Sequence, residues 1–167
     1  MTPAIWSLQT YPESALAAVM PNKKKCILFL CTGNSCRSQM AEGFLRELFG
    51  ERFEAVSAGA DPAGYVHPKT IEVMHDAGID ISEQKSKHIN EFLPPDGQLP
   101  DIIISVCSNA DENCPIFPAD VERWQWLFDD PHHATGDDAQ KMSEFRRVRD
   151  EIRNRLNQEF AGEWRHQ

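Results

Sequence analysis

Apolar and polar positions along this chain fall into blocks with two different periods. Cys26-Ile-Leu-Phe-Leu30 is a continuous apolar run with lysines before it and a glycine-containing loop after it, the pattern of a strand buried on both faces. From Arg37 to Phe49 the period lengthens. Met40, Phe44 and Leu48 form one row at i, i+4 spacing, Ala41, Leu45 and Phe49 form a second, and Gly50 follows. This predicts an amphipathic helix with a glycine stop. Residues 53–57 read as a short strand ending at Ala58-Gly59, and His67-Pro68 opens a helix that Gly78 closes, proline being suited to a helix's first turn. The polar segment 82–90 fits neither period. Three prolines and a glycine make residues 93–100 a loop,. Ile102-Ile103-Ile104 marks a strand over 101–106, and 124–128 is a candidate fourth strand,. Phe145, Val148, Ile152, Leu156 and Phe160 give one apolar face to a long helix over 143–160,. Strands alternating with helices, and built from apolar runs, point to an α/β domain with a parallel sheet.

The first 24 residues read as an N-terminal extension, with a mildly apolar stretch at 15–20 that suits a short helix and a solvated Lys23-Lys24-Lys25 triplet. The domain proper is expected over 25–167. Lys and Arg number 17 against 26 Asp and Glu, for a net charge of −9. An acidic chain lacks the clustered cations that duplex nucleic acid requires, so no nucleic-acid partner is expected. No apolar run approaches the roughly 20 residues that span a bilayer, and no basic leader opens the chain, so a cytoplasmic protein without membrane contact is expected. Five cysteines, Cys26, Cys31, Cys36, Cys107 and Cys114, are an odd count that argues against a disulfide framework and for chemistry.

The chemistry concentrates in Cys31-Thr-Gly-Asn-Ser-Cys36-Arg37-Ser38, between the first strand and its helix. In open parallel sheets ligands bind beyond the carboxyl ends of strands, and a helix N-terminus offers unpaired N–H groups to an anion. Gly33 and Asn34 tolerate the positive φ that turns successive amides inward, and Arg37 adds a planar fork of donors. Thr32, Gly33, Asn34, Ser35, Cys36 and Arg37 are therefore the expected oxyanion-binding residues. Cys31 faces the bound anion as a nucleophile. The same donors, with Ser38, are expected to lower its pKa from about 8.5 toward about 6. The side chain of Cys36 is expected to pack.

Cys-x5-Arg-Ser between an apolar strand and a helix resembles the low-molecular-weight protein tyrosine phosphatase family, and Cys31 to Gly43 is most similar to its thioredoxin-coupled arsenate reductase branch. The resemblance runs from about Lys25 to the C-terminal helix. It implies a flavodoxin-like three-layer fold with a four-stranded parallel sheet, no cofactor, and arsenate or a phosphate-like oxyanion as substrate. It also implies a thiol relay in which Cys31 attacks arsenic, Cys107 attacks Cys31, and Cys114 resolves that disulfide for reduction by thioredoxin. The general acid of the family's Asp-Pro unit falls on Asp130, while Asp129 reads as structural. Some of the reductases hold potassium at positions matching Asn34, Glu42 and Ser57, and Lys87 stands where a fourth, acidic ligand would be.

Cys107 follows a strand and so lies on the same sheet edge as Cys31. The polar, turn-prone residues 108–113 must move if Cys107 and Cys114 are to come within the roughly 7 Å that a disulfide allows. Zinc binding by these cysteines is disfavoured by their spacing, two unrelated buried thiols remain an alternative, and no metal site is expected. His132-His133 follows Asp130-Pro131 where the phosphatases place an aromatic residue. With His67 these histidines could suggest a metal, but adjacent histidines in a polar loop are expected in solvent. Competing functions are a phosphatase acting on phosphotyrosine or small phosphoesters, which would ignore Cys107 and Cys114, and a redox-sensing or anion-binding module.

Overall fold

β1 (Lys25–Cys31) runs through the centre of the sheet, and Ile27, Leu28, Phe29 and Leu30 are all fully buried. It pairs in parallel with β2 (Phe53–Gly59) on one side and with β3 (Ile102–Ser105) on the other. β4 (Glu122–Gln125) pairs in parallel with β3 at the edge, so the order is β2-β1-β3-β4. The computed structural model describes residues 23–108, 117 and 120–162. The helix expected at 15–20 and Cys114 lie outside them.

The expected four-stranded parallel architecture is present, and the unbroken apolar run of β1 follows from its central position, where both faces are covered. α1 (Arg37–Phe49) packs on β1, β2 and the C-terminal helix α3 (Asp138–Phe160). α2 (Pro68–Asp76) packs on α3 and ends in a Schellman motif: Gly78 has φ 80°, its N–H meets His75 O, and the Ile79 N–H meets Met74 O,. α3 buries Met142, Phe145, Val148, Ile152, Leu156 and Phe160 along one face.

Two elements, α3 and β4, depart from the sequence expectation by more than a residue at an end. α3 starts at Asp138, not at 143, because Asp137 and Gln140 close a capping box before the apolar stripe begins,. β4 covers Glu122–Gln125 instead of 124–128, because an edge strand follows the register of its neighbour (Ile102↔Glu122, Ser105↔Gln125) and leaves one face polar. Trp126 is buried just past its end, whereas Leu127 is 64% exposed. Among the described residues no helix is long and apolar enough to cross a membrane.

The sheet order reverses between β1 and β3. At such a switch point the two flanking connections leave in opposite directions and open a crevice beyond the strands' carboxyl ends. Leu30 is level with Ser105 across that pair, so Cys31 and Cys107 both emerge there.

Candidate active site

The loop after β1 is shaped by the destinations of its carbonyls. Cys31 O accepts the Ala60 amide at 3.3 Å, Thr32 O that of Asp61 at 2.9 Å, Gly33 O that of Ala63 at 2.8 Å and Ser35 O that of His67 at 3.0 Å. Asn34 O takes Gln39 Nε2 at 3.0 Å, and Cys36 O takes the Met40 amide at 3.0 Å. Within a peptide plane the C=O and the following N–H point in opposite directions. Carbonyls held outward by this outer belt therefore turn the amides inward. Asn34 adopts φ 46° to make the turn, and no side chain caps α1, so the start of that helix faces the same cup. β2 passes close behind. A Cβ on Gly59 would stand 2.5 Å from Thr32 O.

The buried Cys31 sulfur accepts the Asn34 amide at 3.1 Å and lies 2.8 Å from Ser38 Oγ. The direction of the second bond follows from Asn34. Its Oδ1 accepts the Lys87 amide at 2.7 Å, and a backbone N–H can only donate. Nδ2 is thereby turned to Ser38 Oγ at 2.8 Å and Ser57 Oγ at 2.9 Å. Both hydroxyls accept from Asn34 and send their own protons onward, Ser38 to the Cys31 sulfur and Ser57 to the Glu42 carboxylate. Lys87 Nζ is 3.6 Å from that carboxylate, so an ammonium occupies the position beside Glu42.

Burial pushes the Cys31 thiol up. The Ser38 hydroxyl and amide and the Arg37 charge pull it down, while Cys107 adds to the rise. This reverses the expected depression: the wall that supplies the donors also excludes water, and the cost of desolvating the thiolate outweighs them. Cys36 is buried with its sulfur 3.6 Å from Ser35 Oγ, and burial raises its thiol to about 11, in keeping with a packing side chain.

Arg37 Nη2 donates to Asp130 Oδ2 at 2.8 Å and Nη1 to Phe128 O at 3.0 Å, so the guanidinium joins the cup to the Asp-Pro loop. A cavity of about 500 Å³ opens between them, lined by Cys31, Arg37, Cys107, Asp130, His132 and His133 among others. Thr32, Gly33, Ser35 and Cys36 also line it. The side chain of Asn34 instead lies fully buried behind the loop. Cys107 is buried, with Sγ 3.6 Å from Thr32 Oγ1. Asp129 points to Arg147 on α3 at 3.0 Å.

The family model for low molecular weight phosphotyrosine protein phosphatases matches residues 26–163. The chain belongs to this family. It is 47% identical over 133 residues to an arsenate reductase of Halalkalibacterium halodurans, covering 80% of this chain and 93% of that protein. It is 48% identical over 136 residues to arsenate reductase 2 of Staphylococcus saprophyticus, covering 81% and 95%. Among solved structures, an arsenate reductase in the phosphate binding state superposes with a TM-score of 0.61 at 34% identity, covering 80% of this chain and 95% of that one.

Within this family site, several supporting residues escape a reading of the sequence. Gln39 bonds both Asn34 O and Lys85 O at 3.0 Å, and Ser86 Oγ donates to Gly33 O at 3.2 Å. The amides of Ala60, Asp61, Ala63 and His67 hold the loop carbonyls by backbone bonds. The signal the sequence offers is a run of polar positions, Arg37, Ser38 and Gln39, at the start of an otherwise amphipathic helix, which the structure buries. Among the described residues no group of three His, Cys, Asp or Glu is arranged for a metal. His132 and His133 are exposed at the cavity, and His67 is half-buried.

Proposed function

We propose that this protein reduces arsenate to arsenite. The observation that carries the reading is the cup of inward amides around Cys31, with a second buried thiol, Cys107, in the same cavity. A tetrahedral oxyanion fits the donors, and Arg37 exchanges Asp130 for it. The Cys31 thiolate attacks arsenic, an oxygen protonated by Asp130 leaves as water, and a sulfur–arsenic bond forms. Cys107 then attacks the Cys31 sulfur. The electron pair of the sulfur–arsenic bond stays on arsenic, which leaves as arsenite, and two thiols have become one disulfide. Cys114 attacks Cys107, frees Cys31, and leaves a Cys107–Cys114 disulfide for an external dithiol. Thioredoxin, in a reducing cytoplasm, is that donor.

The test is arsenate-dependent NADPH consumption in the presence of thioredoxin and its reductase. Turnover that disappears in Cys107→Ser supports the relay, and a Cys31–Cys107 disulfide trapped by mass spectrometry in Cys114→Ser after one turnover identifies its first product. Absence of arsenate reduction under these conditions overturns the reading. The cavity, with Tyr65 and Phe128 in its wall, also has room for an aryl phosphate. Hydrolysis of such esters, unaffected by Cys107→Ser, would mark the protein as a phosphatase.

A further inference from the structure

His67 joins parts of the molecule that the reaction above treats separately. Its N–H donates to Ser35 O in the cup at 3.0 Å, and its Nδ1 accepts the Lys69 amide at 3.1 Å as the N-cap of α2. Its ring lies against Phe145 of α3, centroids 4.9 Å apart, and meets the His132 ring edge-on at 5.4 Å. The His132 N–H in turn holds Asp130 Oδ1 at 3.0 Å, while Arg37 holds Oδ2 at 2.8 Å. We propose that His67 is a positioning residue for Asp130: as a neutral imidazole it braces His132, whose amide sets the carboxylate at the cup, and protonation of His67 releases the brace.

The chemistry of the ring makes the brace conditional. Nδ1 accepts the Lys69 amide only while it keeps its lone pair, so the neutral ring carries its proton on Nε2, and a second proton displaces the cap. The charged and titratable groups facing His67 come from each element around it. His132 on the acid loop and Lys69 on α2 oppose a positive ring, and Asp130 favours one. Asp138 at the start of α3 is engaged with Lys69, and Arg37 with Asp130. Burial, then His132 and Lys69, holds His67 below the ordinary imidazole range. The brace is complete at neutral pH and is lost on acidification below about 6.5.

The role rests on the reading of Asp130 as the acid, but its test does not depend on arsenate turnover. NMR of the labelled protein between about pH 5 and 8 follows the His67 ring and the His132 amide together. The His132 amide is expected to show an inflection at the His67 midpoint, and that midpoint lies below an ordinary histidine's. In His67→Asn, which keeps a cap acceptor but no titrating ring, the inflection is lost while α2 amide shifts stay native. Turnover of arsenate, or of an aryl phosphate if arsenate is inert, then lowers kcat more than it raises KM and loses its acid limb. A His132 amide that titrates identically in His67→Asn overturns the proposal. The predicted NMR result without arsenate reduction supports the brace while overturning the reductase reading.

Discussion

Ser38 donates its only proton to the Cys31 sulfur because Asn34 has already taken its acceptor side. A hydrogen bond to a charged acceptor contributes about 1.5 to 3 kcal/mol, and it favours the thiolate over the thiol. Removing it in Ser38→Ala therefore moves the pKa of Cys31 further in the direction burial has already pushed it,. Iodoacetamide alkylation of Cys31, resolved from the other thiols by mass spectrometry across a pH series, should slow by about tenfold or more near neutral pH. At Gly59 the constraint is steric. A Cβ 2.5 Å from Thr32 O meets backbone rather than a flexible side chain, so Gly59→Ala must shift the loop itself. Overpacking of this kind costs about 1 to 3 kcal/mol. Urea unfolding should register that loss, and inorganic phosphate should bind the variant more weakly than the wild type.

The segment 84–88 has no helix or extended strand, yet it holds the cup from behind. Gly59 N–H meets Lys87 O at 2.8 Å, the Lys87 amide orients Asn34, and Lys87 Nζ neutralises Glu42. Glu42 is buried and receives the Ser57 proton, so Lys87→Gln removes the ammonium at 3.6 Å and leaves it the more distant Arg46 guanidinium at 4.0 Å. A buried carboxylate in that state attracts another cation. Turnover of Lys87→Gln should rise with potassium chloride and not with choline chloride at equal ionic strength, while the wild type responds equally to both. The same segment shows why part of the fold was unreadable. β1, α1 and β3 announce themselves because burial imposes a period on their residues. Residues 82–90 are held by side-chain to backbone bonds at Gln39, Asn34 and Ser86, and such bonds leave no period. The start of α3 depends on one local pair, Asp137 and Gln140, and the register of β4 on its neighbour. In the loop, Cys31, Arg37 and Ser38 were legible from spacing, whereas the belt of amides at 60–67 carries no side-chain signature.

The β1/β3 switch point brings Cys31 and Cys107 to one crevice, and the same fold buries Cys26, Cys31 and Cys36. Cys26, at the start of β1, has its pKa raised to about 12 by burial and then by Glu54 and Asp101. Cys36 is raised to about 11, and Cys31 is also raised, in each case chiefly by burial. A raised thiol holds its proton more tightly folded than unfolded. Below the unfolded value, about 8.5, both states are protonated and nothing is lost. Above it the unfolded chain ionises first, and stability falls until pH passes the folded values near 11 and 12,. The protein should therefore lose stability between about pH 8.5 and 11 in urea titrations run with a reductant. The fall should be shallower in Cys26→Ala, whose neutral side chain removes one of the coupled protons without touching the cup. If Cys26→Ala shows the same alkaline slope as the wild type, the thiol at the start of β1 is not among the groups that make the folded state sensitive to high pH.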